Sequence, residues 1–405
     1  MKTVSIIGLG YIGLPSACLL ANSGFNVHGV DIDLKKIKKL EHCQTPFHEP
    51  KLDSYLKKAI NSGLISFSNK PEVSDVFLIC VPTPISKKNK KIFPDISYVI
   101  NAIESIKVVL KKGDLIIIES TCPIGTTLKV YEQLKKYDEE LSKNIFISYC
   151  PERVLPGNVF KELIENDRTV GGINDESSNQ ASKFYKSFIK GKVSKTDSRT
   201  AEMVKLVENS FRDVNIAYAN ELSYISDKNN VDVYELIKLA NKHPRVNILT
   251  PSAGVGGHCI AVDPWFLSHN NNEAKIIKNS RLQNDKKPSW IAKKICKSAK
   301  VQKDILKRPP RVTCFGLSFK PDIDDFRGSP AMEVVSRLAN KDIDLKIVDP
   351  FAEGFIDEFE LIKYKKAFKN IDIAVILVNH SLFKKRDFKL LPKSKVIMDF
   401  VGLMS

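Results

Sequence analysis

Cys259 sits in the segment Gly254-Val255-Gly256-Gly257-His258-Cys259-Ile260-Ala261-Val262-Asp263-Pro264. This is a thiol on a glycine-rich loop, with a carboxylate four residues on. A buried structural cysteine needs no such surroundings. A nucleophilic one does: glycines let backbone approach a substrate closely, and backbone N–H groups there can hold an oxyanion. The amino terminus carries a second device. Gly8-Leu9-Gly10-Tyr11-Ile12-Gly13 follows one apolar strand-like run and opens a helix, and Asp31 ends the next strand. That glycine spacing permits a tight turn and brings a pyrophosphate to a helix N-terminus. The acid accepts from a ribose 2′-hydroxyl and repels a 2′-phosphate. With no basic residue at 32 or 33, NAD is expected over NADP. A thiol beside a nicotinamide is equipped to oxidise an aldehyde through a thioester.

Other candidates are weaker alone. Val81-Pro82-Thr83-Pro84 and Glu119-Ser120-Thr121-Cys122-Pro123-Ile124-Gly125-Thr126-Thr127 both follow strand-like runs. Hydroxyls there lie where open α/β sheets bind ligands, although turn and helix-cap chemistry explains them equally well. Lys205, Asn209 and Arg212 are spaced i, i+4, i+7, on one helix face. They interrupt a helix that otherwise reads as buried, and a buried lysine is costly unless paired or functional; a salt-bridged face between domains is the plain alternative. Lys320 and Arg327, in Lys320-Pro321-Asp322-Ile323-Asp324-Asp325-Phe326-Arg327, are suited to a phosphate or carboxylate, or to an ordinary charged loop. His258 adjoins Cys259, but neighbours on an extended loop point apart. No ligand spacing supports a metal site.

These residues need elements to hold them. Val4–Ile7, Val27–Val30, Val76–Val81, Leu115–Glu119 and Ile145–Tyr149 read as buried strands, with Leu14–Asn22 and Ser97–Leu110 as helices between. Strands alternating with helices predict a doubly wound α/β domain over residues 1–195. A helix over 199–227 carries Met203, Val204, Leu206, Val207, Phe211, Val214, Tyr218 and Leu222 on more than one face. It is expected to be buried on several sides, as a connector between domains. Helices continue over 231–240 and 279–300. Residues 303–310 read as a surface linker. Further strand-like runs at 312–317, 345–348, 371–378 and 396–400 predict a second, smaller α/β domain without the glycine fingerprint.

At 405 residues the chain is too long for one ordinary core. Its formal charge of +16 is spread along the chain without a long basic block. Solvated lysine faces are expected, not a nucleic-acid or membrane surface. None of the eight cysteines forms a C-x-x-C pair, so a reduced, cytoplasmic setting is expected. No apolar run approaches the ~18 residues of a membrane span.

Together these motifs, with Tyr149-Cys150-Pro151-Glu152-Arg153 and F-K-P-x-x-D-D-x-R, resemble the nucleotide-sugar 6-dehydrogenases, the family of UDP-glucose dehydrogenase. The likeness runs over nearly the whole chain. P-E-R-V-L-P-G, S-R-T-A-E-M, H-P-R-V-N-I-L and G-H-C-I-A-V-D-P-W-F are most similar to the branch acting on UDP-N-acetyl-D-mannosamine. The chain departs at Asp399-Phe400-Val401-Gly402, where relatives usually have a basic third residue.

The resemblance implies an NAD-binding Rossmann-type domain (1–195), a helical connector (196–302) and a smaller Rossmann-like α/β domain for the UDP-sugar (303–405). It also implies a homodimer or higher oligomer through the connector, and a role in bacterial surface polysaccharide synthesis. The implied reaction is four-electron oxidation of a sugar C6 alcohol to a carboxylate, with two NAD⁺ and a Cys259 thiohemiacetal and thioester. Lys205 would be the acid/base or oxyanion partner, oriented with the water by Asn209 and Asp263. Glu152 and Thr121 would lie near the water and nicotinamide. Cofactor contacts fall on Gly8, Gly10, Tyr11, Ile12, Gly13, Asp31, Thr83 and Thr121. Substrate contacts fall on Arg153, Val154, Lys205, Asn209, Arg212, His243, Gly256, Phe319, Lys320 and Arg327, with Arg245 reaching into a neighbour's site. UDP-N-acetylglucosamine and UDP-glucose remain alternative substrates. A two-electron β-hydroxyacid dehydrogenase and a non-catalytic nucleotide-binding protein are remoter readings, and Cys259 with Lys205 weighs against both.

Overall fold

The computed structural model describes residues 2–88, 91–155, 157–269 and 271–405; Pro156 of the P-E-R-V-L-P-G segment lies outside them. Two compact units emerge: Met1–Glu208 with Trp265–Asn270, and Asn209–Pro264 with Asn271–Ser405.

The first unit is built on strands β1 (Thr3–Ile7), β2 (Asn26–Val30), β3 (Ile65–Ser68) and β4 (Val76–Ile79). A hairpin of β5 (Ile85–Lys88) and β6 (Lys91–Pro94) follows. Then come β7 (Leu115–Ile118), β8 (Phe146–Tyr149), β9 (Arg168–Gly172) and β10 (Val193–Asp197). Eight of them form one sheet, in the order β10-β9-β8-β7-β4-β1-β2-β3. β4 and β7 are buried along their whole length, as strands covered by helices on both faces must be. On one face lie Leu14, Cys18 and Phe184; on the other, Val99, Ile103 and Val130. The strand order reverses between β1 and β4, which makes a crevice at their carboxyl ends. One edge departs from the all-parallel expectation: β8 and β9 pair antiparallel, Tyr149 opposite Gly171. The start of β9 therefore lies beside the carboxyl ends of β7 and β8.

In the second unit β11 (Arg311–Phe315), β12 (Asp344–Val348), the short pair β13 (Phe355–Ile356) and β14 (Phe359–Glu360), β15 (Ile373–Ile376) and β16 (Val396–Asp399) follow in turn. A four-stranded parallel sheet runs β12-β11-β15-β16. A helix over Lys275–Leu306 packs Ile291, Ile295 and Ala299 into one apolar cluster with Val334 and Leu338. It runs through the first half of the segment read as a linker and ends at Leu306, with Lys307 in the left-handed conformation.

The connector helix spans Ser198–Lys228. It is not buried on several sides. Met203, Val207, Phe211, Tyr218 and Ile225 are exposed, Phe211 by 68%. At 3.6 residues per turn all five fall on one stripe. The buried positions include Ser210, Asp213, Asn220 and Ser223. The interior side thus mixes these polar residues with Ala201, Leu206, Ala217 and Ala219, while the larger apolar side chains form an exposed row. Among the described residues no helix is long and apolar enough to cross a membrane.

Candidate active site

The fingerprint turn is tightly built. Gly8 has φ +97°, and a Cβ there would meet the Cys80 carbonyl oxygen at 2.7 Å. A Cβ on Gly13 would lie 1.9 Å from the Gly8 carbonyl oxygen. Gly10, by contrast, faces open space, which suits a pyrophosphate. Asp31 Oδ2 accepts from the Leu9 amide at 2.9 Å and from Lys36 Nζ at 2.6 Å, and Oδ1 from the Asp33 amide at 3.0 Å. Burial alone would raise this carboxyl; the Lys36 bond and the two amides instead hold it below the usual carboxylate range. Oδ1 keeps acceptor capacity for a ribose hydroxyl. These residues fit a dinucleotide. Lys36 corrects the reading that counted basic residues only at 32 and 33: a cation does reach this carboxylate, from one helical turn further on. Tyr11 stacks on Phe47 with ring centroids 5.0 Å apart and donates to Glu49, a carboxylate that also takes the Gly157 and Val159 amides. Ile12 is the residue preceding the helix Gly13–Asn22.

Thr83 and Thr121 are both half-buried, in the loops after β4 and β7. The helix that starts after the second motif, Thr126–Tyr137, is capped from another element and not by the motif's threonines. Glu202, fully buried on the connector helix, accepts from the Gly125 amide at 2.5 Å and from the Thr127 amide and hydroxyl at 2.7 and 2.6 Å. Glu152 follows β8 and is buried; its Oε1 accepts from the Val154 amide at 2.7 Å. Burial raises the Glu152 carboxyl, and the Lys205 and Arg168 cations draw it back. Lys205 is half-buried, not buried, and its Nζ donates to the Glu152 carbonyl oxygen at 2.5 Å. Arg153 is already engaged, with Nη1 on Glu208 at 2.8 Å and Nη2 on the Asp167 carbonyl at 2.5 Å.

In the second unit Asn209 Nδ2 donates to Asp263 Oδ2 at 2.5 Å. Asp263 is buried at the start of the helix Asp263–Ser268. The Cys259 carbonyl accepts from the Val262 and Asp263 amides, both at 2.9 Å. This turn ties the cysteine, which is solvent-exposed, to the Asn209–Asp263 pair. The loop glycines are required by packing within the protein. A Cβ on Gly256 would meet the Gly328 carbonyl oxygen at 2.5 Å, and one on Gly257 (φ +79°) the Phe319 ring at 2.8 Å. They let the loop lie against the 319–330 segment.

A buried polar network holds the same loop from both flanks, and no motif announced it. Upstream, the Ser252 amide donates to Asn220 Oδ1 at 2.9 Å, Asn220 to Asn284 Oδ1 at 2.9 Å, and Asn284 to Asp213 Oδ1 at 2.8 Å. Downstream, Arg281 pairs with Asp213 and donates to the Ile260 carbonyl at 3.5 Å. The only sequence signal was polar residues at inward positions of two long helices.

Lys320 and Phe319 are half-buried and Arg327 is exposed. Arg327 holds Asp325 through two bonds, at 2.8 and 2.6 Å. His380, fully buried, accepts the Asp322 amide at 3.0 Å and lies 3.2 Å from Asp349; it fixes this loop and was missed. His258 is lowered by burial and by the Arg327 cation. Arg212, His243 and Arg245 are exposed, and Val154 half-buried. Among the described residues no group of three or more His, Cys, Asp or Glu could hold a metal ion.

Three segments match one family. Residues 2–189 match the NAD binding domain of the UDP-glucose/GDP-mannose dehydrogenase family, 199–286 its central domain, and 313–405 its UDP binding domain. The chain belongs to the UDP-glucose/GDP-mannose dehydrogenase family, and is an NAD-dependent oxidoreductase of nucleotide sugars. It is 46% identical to the UDP-N-acetyl-D-mannosamine dehydrogenase of Methanocaldococcus jannaschii, over 100% of this chain and 93% of that one. It is 43% identical to the NDP-N-acetyl-D-galactosaminuronic acid dehydrogenase of Ralstonia nicotianae, over 100% and 96%. Among solved structures, the UDP-D-ManNAc dehydrogenase from Pyrococcus horikoshii matches with a TM-score of 0.88 at 37% identity, covering 100% of this chain and 96% of that one.

Proposed function

We propose that this enzyme oxidises the C6 alcohol of UDP-N-acetyl-D-mannosamine to the uronate, in two successive two-electron steps at one carbon. The full-length 46% identity to a UDP-N-acetyl-D-mannosamine dehydrogenase carries the choice of sugar. The chemistry is supported by an exposed thiol, on a loop anchored at both ends, with the Asn209–Asp263 pair beside it. When bound, NAD⁺ supplies the oxidising capacity, two electrons per molecule and four in all. Lys205 stabilises charge on the C6 oxygen and exchanges its proton. Asn209 and Asp263 orient the reacting water. Cys259 Sγ adds to the aldehyde carbon, so the half-oxidised sugar stays on the enzyme as a thiohemiacetal and then a thioester. Glu152 takes the proton of the water that releases the acid. Thr83 and Thr121 line the cofactor side; Phe319, Lys320 and Arg327 hold the UDP.

The enzyme works in the cytoplasm, a reading supported by eight cysteines without a disulfide. It assembles as at least a homodimer through the apolar stripe of the connector helix, with Arg245 completing a neighbour's site. The exposed apolar row along one side of this helix supports this. Phe211→Glu should give monomers in light scattering.

The deciding experiment measures NADH yield and kcat/KM over UDP-linked N-acetylmannosamine, N-acetylglucosamine, N-acetylgalactosamine and glucose. Two NADH per sugar are expected, with the N-acetylmannosamine compound best. One NADH with free aldehyde would remove the two-step mechanism. A better substrate among the other three would remove the sugar assignment alone.

A further inference from the structure

Behind Glu152 lies a buried ionic cluster to which the reaction above gives no role. Four loops and strand ends meet there. Glu119 follows β7, Cys80 follows β4, Glu152 follows β8, and Arg168 opens β9. Because β9 runs against β8, the register that ends at Tyr149–Gly171 sets Glu152 opposite Arg168 when carried past the last pair. Residues opposite each other in such a pair share a face. Arg168, Glu119, Glu152 and Tyr185 are all less than 8% exposed.

The contacts are unlike those of a purely structural ion pair. Arg168 Nη1 is 3.8 Å from Glu119 Oε1, beyond hydrogen-bond distance. Nη2 donates to the Leu163 carbonyl at 3.4 Å, and Nε is buried without a partner. The guanidinium lies over the Tyr185 ring at 5.1 Å. Glu119 is the better satisfied member: Oε1 accepts from the Tyr185 hydroxyl at 2.5 Å and Oε2 from Cys80 Sγ at 3.3 Å. A buried pair with such loose geometry does not repay its desolvation. It leaves a cation free to act on its neighbours.

We propose that Arg168 and Glu119 are positioning residues that act through Glu152. The guanidinium keeps the Glu152 carboxylate ionised for hydrolysis of the Cys259 thioester, and the Glu119 carboxylate beside it limits its reach. The proposal rests on Glu152 being the base of that step. There, water attacks the acyl carbon and one of its protons passes to Glu152. The C–S bond breaks, sulfur leaves as thiolate, and the new carboxylic acid loses its proton to solvent; no electrons are exchanged. The charged groups facing Glu152 are Lys205 from the connector helix, Arg168 from β9 and Glu119 after β7. Cys80 lies on the β4 side. Lys205 and Arg168 pull the Glu152 carboxyl down against its burial, and Glu119 pushes it up.

The two residues therefore have opposite signs, which a merely structural role would not produce. Enzyme, UDP-sugar and NAD⁺ are mixed and quenched, and loss of the acyl group from Cys259 is followed by intact mass at each pH. Arg168→Met should move the acid limb of hydrolysis to higher pH, slowing it about tenfold near pH 6, and Arg168→Lys should restore most of the rate. Glu119→Gln, nearly isosteric, should move the limb to lower pH. NAD⁺ binding reports that each variant is folded. If Arg168→Met does not bind NAD⁺, Glu119→Gln decides alone: a limb unmoved or moved upward overturns the proposal. If Glu152→Gln blocks hydrolysis while both other limbs stay in place, only this proposal falls. If Glu152→Gln hydrolyses as fast as the wild type, the assignment of the base falls and this proposal with it.

Discussion

Replacing Arg281 by methionine separates the anchoring of the cysteine loop from the binding of NAD. Arg281 and Asp213 are both 0% exposed and directly paired. Arg281 also holds Asp285 at 3.0 Å and the Ile260 carbonyl at 3.5 Å. Burial pushes the Asp213 carboxyl up to about 6 even with Arg281 beside it and Asn284 bonded to it. That folded value lies above the ordinary 3.8. Asp213 thus favours folding at low pH, and its contribution is lost as pH rises through the folded value. Without Arg281 the folded value climbs further, so the penalty of the substitution must grow with pH. Leaving one member of a buried pair alone costs about 3–5 kcal/mol, expected in full at pH 8. At pH 5 the carboxyl is protonated in both proteins, and about 1–2 kcal/mol remains for the lost hydrogen bonds. Urea denaturation at the two pH values measures this. In parallel kcat should fall as the loop loosens, while NAD⁺ affinity should stay constant, because residues 2–189 match the family's NAD binding domain and Arg281 lies outside them. A penalty at pH 5 equal to that at pH 8 would refute the reasoning.

Cys259→Ser should retain NAD⁺ and UDP-sugar binding in calorimetry and lose turnover, because the hydroxyl is a far weaker nucleophile at neutral pH; wild-type turnover would exclude the covalent route. Asp31→Ala removes an acceptor and frees Lys36 for a 2′-phosphate, so the NAD/NADP ratio of kcat/KM should fall by roughly ten- to a hundredfold; an unchanged ratio would remove Asp31 from cofactor choice. Lys287 is fully buried over Tyr224 and Trp290, and burial pulls it down to about 7 from 10.5. Its folded state loses stability as pH falls through that window. Lys287→Met should therefore stabilise the protein by about 1–4 kcal/mol at pH 7, with the gain shrinking toward pH 10; a destabilised variant in denaturant melts would show that the bond to Ser223 and the two ring contacts outweigh the desolvation of the lysine.

Much of the fold was legible because its signals are local. Four-residue apolar runs such as Val76–Ile79 and Leu115–Ile118 carry their own strand preference, and Gly8 to Gly13 encodes a turn that other residues cannot make. The linker reading failed for an equally local reason: a charged run is no barrier to a helix, which continues to Leu306 and stops where Lys307 turns left-handed. The connector helix misled because periodicity reports where apolar residues lie, not which side faces the interior. Its interior side is chosen by Asp213, Asn220 and Ser223 finding partners on a helix some sixty residues away in the chain.

The sequence by itself determined the class of chemistry: a thiol on a glycine loop, a dinucleotide turn, and a lysine and an amide one helical turn apart. Those are choices of functional group and short-range spacing, and both are written in adjacent residues. Only the tertiary structure decided what surrounds each group. It brought Asp263 to Asn209, the Glu152 carbonyl to Lys205, Lys36 to Asp31, and Arg168 to the face of Glu152. The charge state and orientation of a buried side chain depend on desolvation and on neighbours within a few ångströms. Which neighbours those are follows from strand order and register. The reversal of β9 against β8, which departs from the parallel pattern, is what starts β9 at Arg168 next to the carboxyl end of β8, after which Glu152 follows.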